Sequence, residues 1–146
     1  MKHLLADVRA FHAACDVPVL STPQIPSDDR VKLRTDLIYE EHKELLAAIE
    51  ARDIEGVADA LADLVYVTVG TALEFGIPLD RVWKAVQQSN MAKVDPETGF
   101  VNRRSDGKIL KPVGWMPPDI ARALTGDLFD EPDWKSGVAA KAFEGV

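Results

Sequence analysis

Two long helical patterns stand almost back to back in this chain. The first covers about residues 28–52 and the second about residues 54–75, with a break of only a few residues around Arg52 to Glu55. A connection that short leaves two long helices one easy arrangement, an antiparallel hairpin. Whatever else the chain folds into is built around that hairpin.

The first pattern carries an apolar stripe of Leu33, Leu37, Leu45 and Ala48, and two glutamates lie inside it. At about 100° per residue, Glu44 projects between Leu33 and Leu37, and Glu41 between Leu37 and Leu45. The second pattern is apolar nearly all round, through Val57, Leu61, Leu64, Val65, Val67, Val69, Ala72 and Leu73, as expected of a helix buried on most sides. Yet Asp59, Asp63, Tyr66 and Gly70 share one narrow face of it. Counted from Asp53 at the turn, Glu44 lies nine residues before and Asp63 ten after, so the two stand level, and Glu41 stands level with Tyr66. Glu40, Glu41, Glu44 and Asp63 are therefore expected to converge, with Asp59 one turn nearer the connection.

A carboxylate aimed at an apolar interior is costly unless it is paired or holds a cation, and several carboxylates together repel one another. A divalent cation resolves both problems. Oxygen donors of this kind select Mg²⁺ or Mn²⁺ over zinc or copper. A di-iron bundle also uses inward carboxylates, but it needs a Glu-x-x-His pair on each of two helices. None of His3, His12 and His42 follows a glutamate by three. A run such as Glu40-Glu41-His42-Lys43-Glu44 is ordinarily a solvated face. Here Lys32, Asp36, Lys43 and Glu50 already supply that face, and Glu41 and Glu44 point the other way.

With 146 residues the chain is long enough for one domain with a real core. Its net charge of −7 argues against a nucleic-acid or anionic-membrane surface. No uninterrupted apolar run approaches the roughly 20 residues of a membrane span, and the charged start MKHLLADVRAFHAAC does not read as a secretory signal. A single cysteine, Cys15, forms no internal disulfide, which suits a reducing, cytoplasmic setting.

Around the hairpin, a first helix is expected over about residues 4–15 and a proline-containing loop over 16–26. Ser27 is placed to cap the second helix, ahead of Asp28 and Asp29. Gly76 ends the third, and a fourth runs over about 78–93. Residues 94–118 dissolve into turn signals, with a short hairpin whose arms are 100–103 and 108–110. A last short helix covers about 118–124. The expected domain is 1–125, with 126–146 as a tail of little periodicity that has the character of a mobile terminus.

That turn-rich stretch is locally basic in an acidic chain. Asn90 and Lys93 close the fourth helix, and Arg103, Arg104, Lys108 and Lys111 follow. Such a loop can wrap a polyanion such as a triphosphate, or it can be an ordinary solvated loop. Arg34, inside the arc of its helix one heptad before Glu41, is either a phosphate ligand or the partner of an acid. Tyr66 can meet a ligand or simply pack. Trp115 can stack on a base, but its setting between Gly114 and Met116-Pro117-Pro118 favours anchoring the loop.

Taken together, Glu40-Glu41-x-x-Glu44, Asp63, the stretch ADLVYVTVGTALEFGI, SNMAK and RRSDGKILKPVGWMPPDI resemble the all-α nucleoside triphosphate pyrophosphohydrolases. That group includes MazG, phosphoribosyl-ATP pyrophosphohydrolase and the dimeric dUTPases, and the resemblance extends over about residues 30–120. One departure stands out. The family pattern has a glutamate three residues before the aspartate, and here that position is Ala60, with Asp59 beside it.

The resemblance implies an all-α fold: a helical hairpin carrying an acidic metal site, a four-helix-bundle core completed by oligomerisation, and a C-terminal basic loop. It implies cleavage of a (deoxy)nucleoside triphosphate such as dUTP or dGTP between the α- and β-phosphates, giving the monophosphate and pyrophosphate. Glu41, Glu44 and Asp63, with Asp59 in doubt, would hold Mg²⁺ or Mn²⁺, two or more ions with substrate bound. Glu40 would serve the attacking water, and Arg34, Tyr66, Asn90, Lys93, Arg103 and Lys111 the substrate. A homodimer or dimer of dimers is expected. The rivals are a phosphoribosyl-ATP pyrophosphohydrolase and a non-enzymatic helical module with a structural ion.

Overall fold

A computed structural model describes residues 1–126; the expected tail lies, apart from Gly126, outside the described residues. The fold is all-α. Its helices are α1 (Lys2–Ala14), α2 (Asp28–Ala51), α3 (Ile54–Glu74), α4 (Leu79–Met91) and α5 (Ile120–Thr125), each where the sequence pattern places one. No strand forms among the described residues; the loop carries isolated antiparallel bridges at Val94–Val101 and Arg103–Ile109. The expected short hairpin is reduced to the second of these, closed by Arg104 N–H to Lys108 O (2.8 Å) and Leu110 N–H to Asn102 O (2.7 Å).

The hairpin turn is tight because its two residues divide the work. Arg52 takes a left-handed conformation (φ 55°) that ends α2, and the Asp53 carboxylate accepts the Gly56 N–H (3.2 Å) to start α3. Ser27 does stand at the N-cap of α2, but its hydroxyl makes no capping bond, so the acids Asp28 and Asp29 carry the favourable charge there. At its far end α3 stops at Gly76, whose φ of 64° suits glycine and whose missing Cβ would lie 2.1 Å from Thr22 O. The preceding loop crosses at this point. Leu20 N–H donates to Leu73 O (2.9 Å) and Gln24 N–H to Phe75 O (3.0 Å), satisfying carbonyls that a helix end leaves unpaired.

The chain divides into two compact units, Met1–Asp80 and a second that begins at Arg81, where the sequence suggested one domain over 1–125. In the first, α3 packs on α2 and α1. Its core is Val8, Val69 and Leu73, with Leu4, Leu5, Val19 and Leu79 around them. In the second, Trp115 pins the loop to α4, as its setting in the sequence favours. The indole N–H donates to Ser89 O (2.8 Å), and the Ser89 hydroxyl donates to Met116 O (3.0 Å).

Two expectations need correction. Helix α3 is not buried on most sides within the chain: its buried residues are Ala60 and a stretch near its end, while Leu61 and Val65 remain 48% and 46% exposed. The same helix, with 21 residues and a mean hydropathy of 1.4 over its most apolar window, is also long and apolar enough to cross a membrane by length and composition. Asp59 and Asp63 break the apolar run without lowering its average hydropathy enough to remove this property.

Candidate active site

Glu41 is the centre of the acidic face. It is half-buried, and its Oε2 atom is enclosed with no hydrogen-bond partner. Burial raises its carboxyl above the ordinary glutamate value, and the charges of Asp63, Glu44, Glu40 and Asp59, in that order, push it the same way. The hairpin therefore does bring the five acids into one electrostatic neighbourhood. Glu40, Glu44, Asp59 and Asp63 are each exposed, and among the described residues no three acidic, His or Cys side chains are drawn into ligating positions. Ala60 is 4% exposed, so the position where the family pattern carries a glutamate faces the core here, and Asp59 is rotated away from it.

An orphaned, enclosed carboxylate oxygen amid four more carboxylates fits a hard divalent cation. Such an ion neutralises the mutual repulsion and supplies the missing partner of Oε2. Glu41, Glu44 and Asp63 are the side chains that could hold it.

Arg34 has the second of its two expected environments, that of a partner for an acid. It is 7% exposed, and its Nε donates to Glu74 (2.5 Å). Arg30 makes a two-pronged pair with the same carboxylate through Nε (2.7 Å) and a terminal nitrogen (2.6 Å). Arg34 also meets His12 Nε2 at 3.3 Å. Burial would raise the Glu74 carboxyl, but the hydrogen bonds and charges of both arginines outweigh it and hold it below the ordinary value. His12 is held below the ordinary histidine value, first by burial and then by the Arg34 charge. Gly70 makes room for this cluster, since a Cβ there would stand 3.0 Å from both Arg34 and His12. Tyr66, on the same face of α3, packs edge-on against Phe11 with ring centres 5.8 Å apart.

In the second unit, Lys93 and Lys111 both lie over the Trp115 ring, at 5.4 and 3.9 Å from its centre. Lys93 also donates to Asn90 Oδ1 (2.8 Å), and Arg103 donates to Gly107 O (3.0 Å). Lys93, Arg103 and Lys111 line one cavity of about 610 Å³. Of the basic and amide groups singled out in the sequence, Asn90, Arg104 and Lys108 do not line it.

Acidic clusters of this kind occur in structural ion sites as well as in hydrolases, and comparison with known proteins shows the family to which this one belongs. Residues 8–90 match the family model of phosphoribosyl-ATP pyrophosphohydrolase. The chain belongs to that family. The family is part of the MazG-like all-α NTP pyrophosphohydrolase superfamily. The match takes in α2, α3 and all five acids and ends at Asn90, before the basic loop. A stretch of 50 residues is also 46% identical to uncharacterized protein L479 of Acanthamoeba polyphaga mimivirus, covering 34% of this chain. The chain thus aligns with about a fifth of that relative's length.

What the sequence alone did not reveal is Glu74, which reads as an ordinary helix end. The signal was present. Arg30 and Arg34 lie 23 and 19 residues before Asp53, and Glu74 lies 21 after it, midway between their heights. The counting that levels Glu44 with Asp63 also levels Glu74 with the two arginines.

Proposed function

We propose that this chain is a pyrophosphohydrolase that cleaves a (deoxy)nucleoside triphosphate between the α- and β-phosphates, releasing monophosphate and pyrophosphate and so controlling a nucleotide pool. The observation that carries the reading is the partnerless Oε2 of Glu41 in the field of four further acids. Glu41, Glu44 and Asp63 hold Mg²⁺ or Mn²⁺ in this reading, and the exposed Asp59 acts at most through water. A bound divalent ion offsets phosphate charge and makes water more acidic. Glu40, exposed beside the ligand face, accepts a proton from the attacking water. The basic side chains Lys93, Arg103 and Lys111 are assigned to phosphate, with Asn90 holding Lys93; Tyr66 is assigned to the substrate from its place beside the acids.

The test is turnover against a panel of deoxynucleoside triphosphates with Mg²⁺ and Mn²⁺. Glu41→Ala, Glu44→Ala and Asp63→Ala should each lower kcat/KM by about a hundredfold or more. In ¹⁸O-water, label should enter the monophosphate. Full activity in excess chelator removes the metal assignment, and label confined to pyrophosphate removes the α-attack. Phosphoribosyl-ATP belongs in the same panel as the second reading, favoured by the family description itself.

The open flank of α3 supports a homodimer or dimer of dimers. Leu61 and Val65 there, with Leu46 and Ile49 on α2, leave an apolar surface of a kind monomers rarely expose. Light scattering of the active species decides it: a monomer mass of 16.0 kDa overturns the pairing.

A further inference from the structure

Helix α1 is held to the hairpin by a small set of side chains, and one of them is ionisable. Its buried residues are Val8 and His12. Val8 enters the apolar core with Leu4 and Leu5 beside it, and the exposed Phe11 adds its edge-on contact with Tyr66. A helix of 13 residues is marginal on its own in water, so α1 depends on these contacts. It ends at a left-handed residue, Asp16 (φ 54°). The loop beyond is tied separately to α3 through the N–H groups of Leu20 and Gln24, so a release of α1 stops there.

The contact at His12 admits one protonation state. A guanidinium only donates, so the Arg34 nitrogen 3.3 Å from His12 Nε2 makes that atom an acceptor. The ring proton then sits on Nδ1, which is enclosed against the Pro18 backbone without a well-formed hydrogen bond. A second proton has to enter at Nε2, where the guanidinium stands. The charged groups that face the ring are Arg34 and Arg30 from α2 and Glu74 from α3; among the described residues, α1 and the following loop add none. Two arginines against one glutamate leave the cluster one positive charge in excess, and a charged His12 doubles that excess in a desolvated site. Gly70 backs the pair so closely that a Cβ there would stand 3.0 Å from both. Movement of α1 is the route by which a charged ring reaches water.

We propose that α1 is a proton-released clasp: a proton added at His12 Nε2 expels the ring from Arg34 and lifts α1 off the hairpin in mildly acidic solution, taking Phe11 off Tyr66. The hairpin stays folded, because α2 and α3 keep their own packing and the Glu74 pairs with Arg30 and Arg34. Tyr66 shares a face of α3 with Asp59 and Asp63, so the clasp makes access to the acidic face depend on pH. That consequence, unlike the clasp itself, rests on the proposed function.

Hydrogen exchange of the full chain, read by mass spectrometry and corrected for the intrinsic rate at each pH, compares the opening of α1 with that of α3. An opening in which His12 titrates at its ordinary value of about 6.5 should gain up to about tenfold between about pH 7.5 and about pH 5.5. Amides of α1 should lose that protection while those around Val69 and Leu73 keep theirs. His12→Gln, whose amide oxygen still accepts from Arg34 and takes no proton, should hold α1 closed throughout. His12→Lys, with a lasting charge, should leave α1 open at about pH 7.5. A change in α1 below about twofold, a His12→Gln variant that opens like the parent, or equal loss of protection in α1 and α3 overturns the clasp. Those outcomes leave hydrolysis untouched. In turnover, the ratio of kcat/KM for His12→Gln to that of the parent should rise as pH falls, since titration of the acidic face is common to both, and a flat ratio overturns the link to Tyr66. Acid release of α1 in a protein that turns over no nucleotide keeps the clasp and removes the proposed activity.

Discussion

Replacing Glu74 by Gln should cost more stability than any single change on the acidic face. Glu74 is 1% exposed and accepts from Arg30 Nε, an Arg30 terminal nitrogen and Arg34 Nε at 2.5–2.7 Å. Glutamine keeps the shape but loses the charge, leaving two guanidinium groups facing an amide. Removing one partner of a buried pair typically costs about 3–5 kcal/mol. Arg30 is 29% exposed and can turn its charge to water, so its share approaches that of a surface pair, below about 1 kcal/mol. Arg34, enclosed under Gly70 and His12, cannot escape, and its stranded charge dominates. The net loss should be about 3–4 kcal/mol, or roughly 10–15 °C in Tm for a chain of this size. Urea denaturation at neutral pH measures it. A loss under about 1 kcal/mol would refute the reasoning. So would a double variant, Arg34→Met with Glu74→Leu, that proves less stable than Glu74→Gln alone, since apolar replacement of both charges should recover most of the loss.

Glu41→Gln should raise the apo stability in chelator, because it removes the enclosed, partnerless charge, and should abolish the Mg²⁺-induced rise in Tm; unchanged Mg²⁺ stabilisation counts against Glu41 as a ligand. Acid should act in two stages. Below the unfolded histidine value of about 6.5 the unfolded chain takes a proton that folded His12 resists, so stability falls as pH drops toward its lowered folded value. The Glu74 contribution is full above about 4.5 and is lost as pH falls through its own lowered value. His12→Gln should flatten the first stage of that profile and spare the second. Gly70→Ala gains helix propensity of about 1 kcal/mol but presses on Arg34 and His12, and should come out destabilising by about 1–2 kcal/mol in thermal melts. Asp59→Ala should lower kcat/KM far less than Asp63→Ala; an equal loss would make Asp59 a direct ligand.

The hairpin was legible because its signals are local and repeated. Leu33, Leu37 and Leu45 set one face, Asp53 caps, Gly76 reverses, and each acts within a turn or two of chain. The acidic face followed from the same periodicity, since Glu41 and Glu44 could be placed by phase alone. Burial was less legible. Helix α3 is apolar all round, and composition cannot say which flank this chain covers and which it leaves open. The Arg30, Arg34 and Glu74 cluster escaped because a charged residue near a helix end usually meets water. The loop is harder still. Its basic residues were countable, but the gathering of Lys93 and Lys111 on Trp115 depends on contacts between residues 22 and 4 apart in no regular element.

The two-residue turn at Arg52 and Asp53 imposes a rule on how genes for such proteins can lengthen or shorten. Heights on the hairpin are counted from that turn, so one residue inserted between Glu44 and Arg52 rotates every upstream side chain by about 100° and shifts it by about 1.5 Å. Glu41 and Glu44 would then leave the face of Asp63, and Arg34 would lose Glu74 in the same stroke. A seven-residue insertion made in both helices between the turn and the acids nearly preserves phase and height together. Length variation among functional descendants of this chain should therefore be matched across the turn in near-whole heptads, or confined to segments such as residues 16–26 and 94–118 that carry no such count.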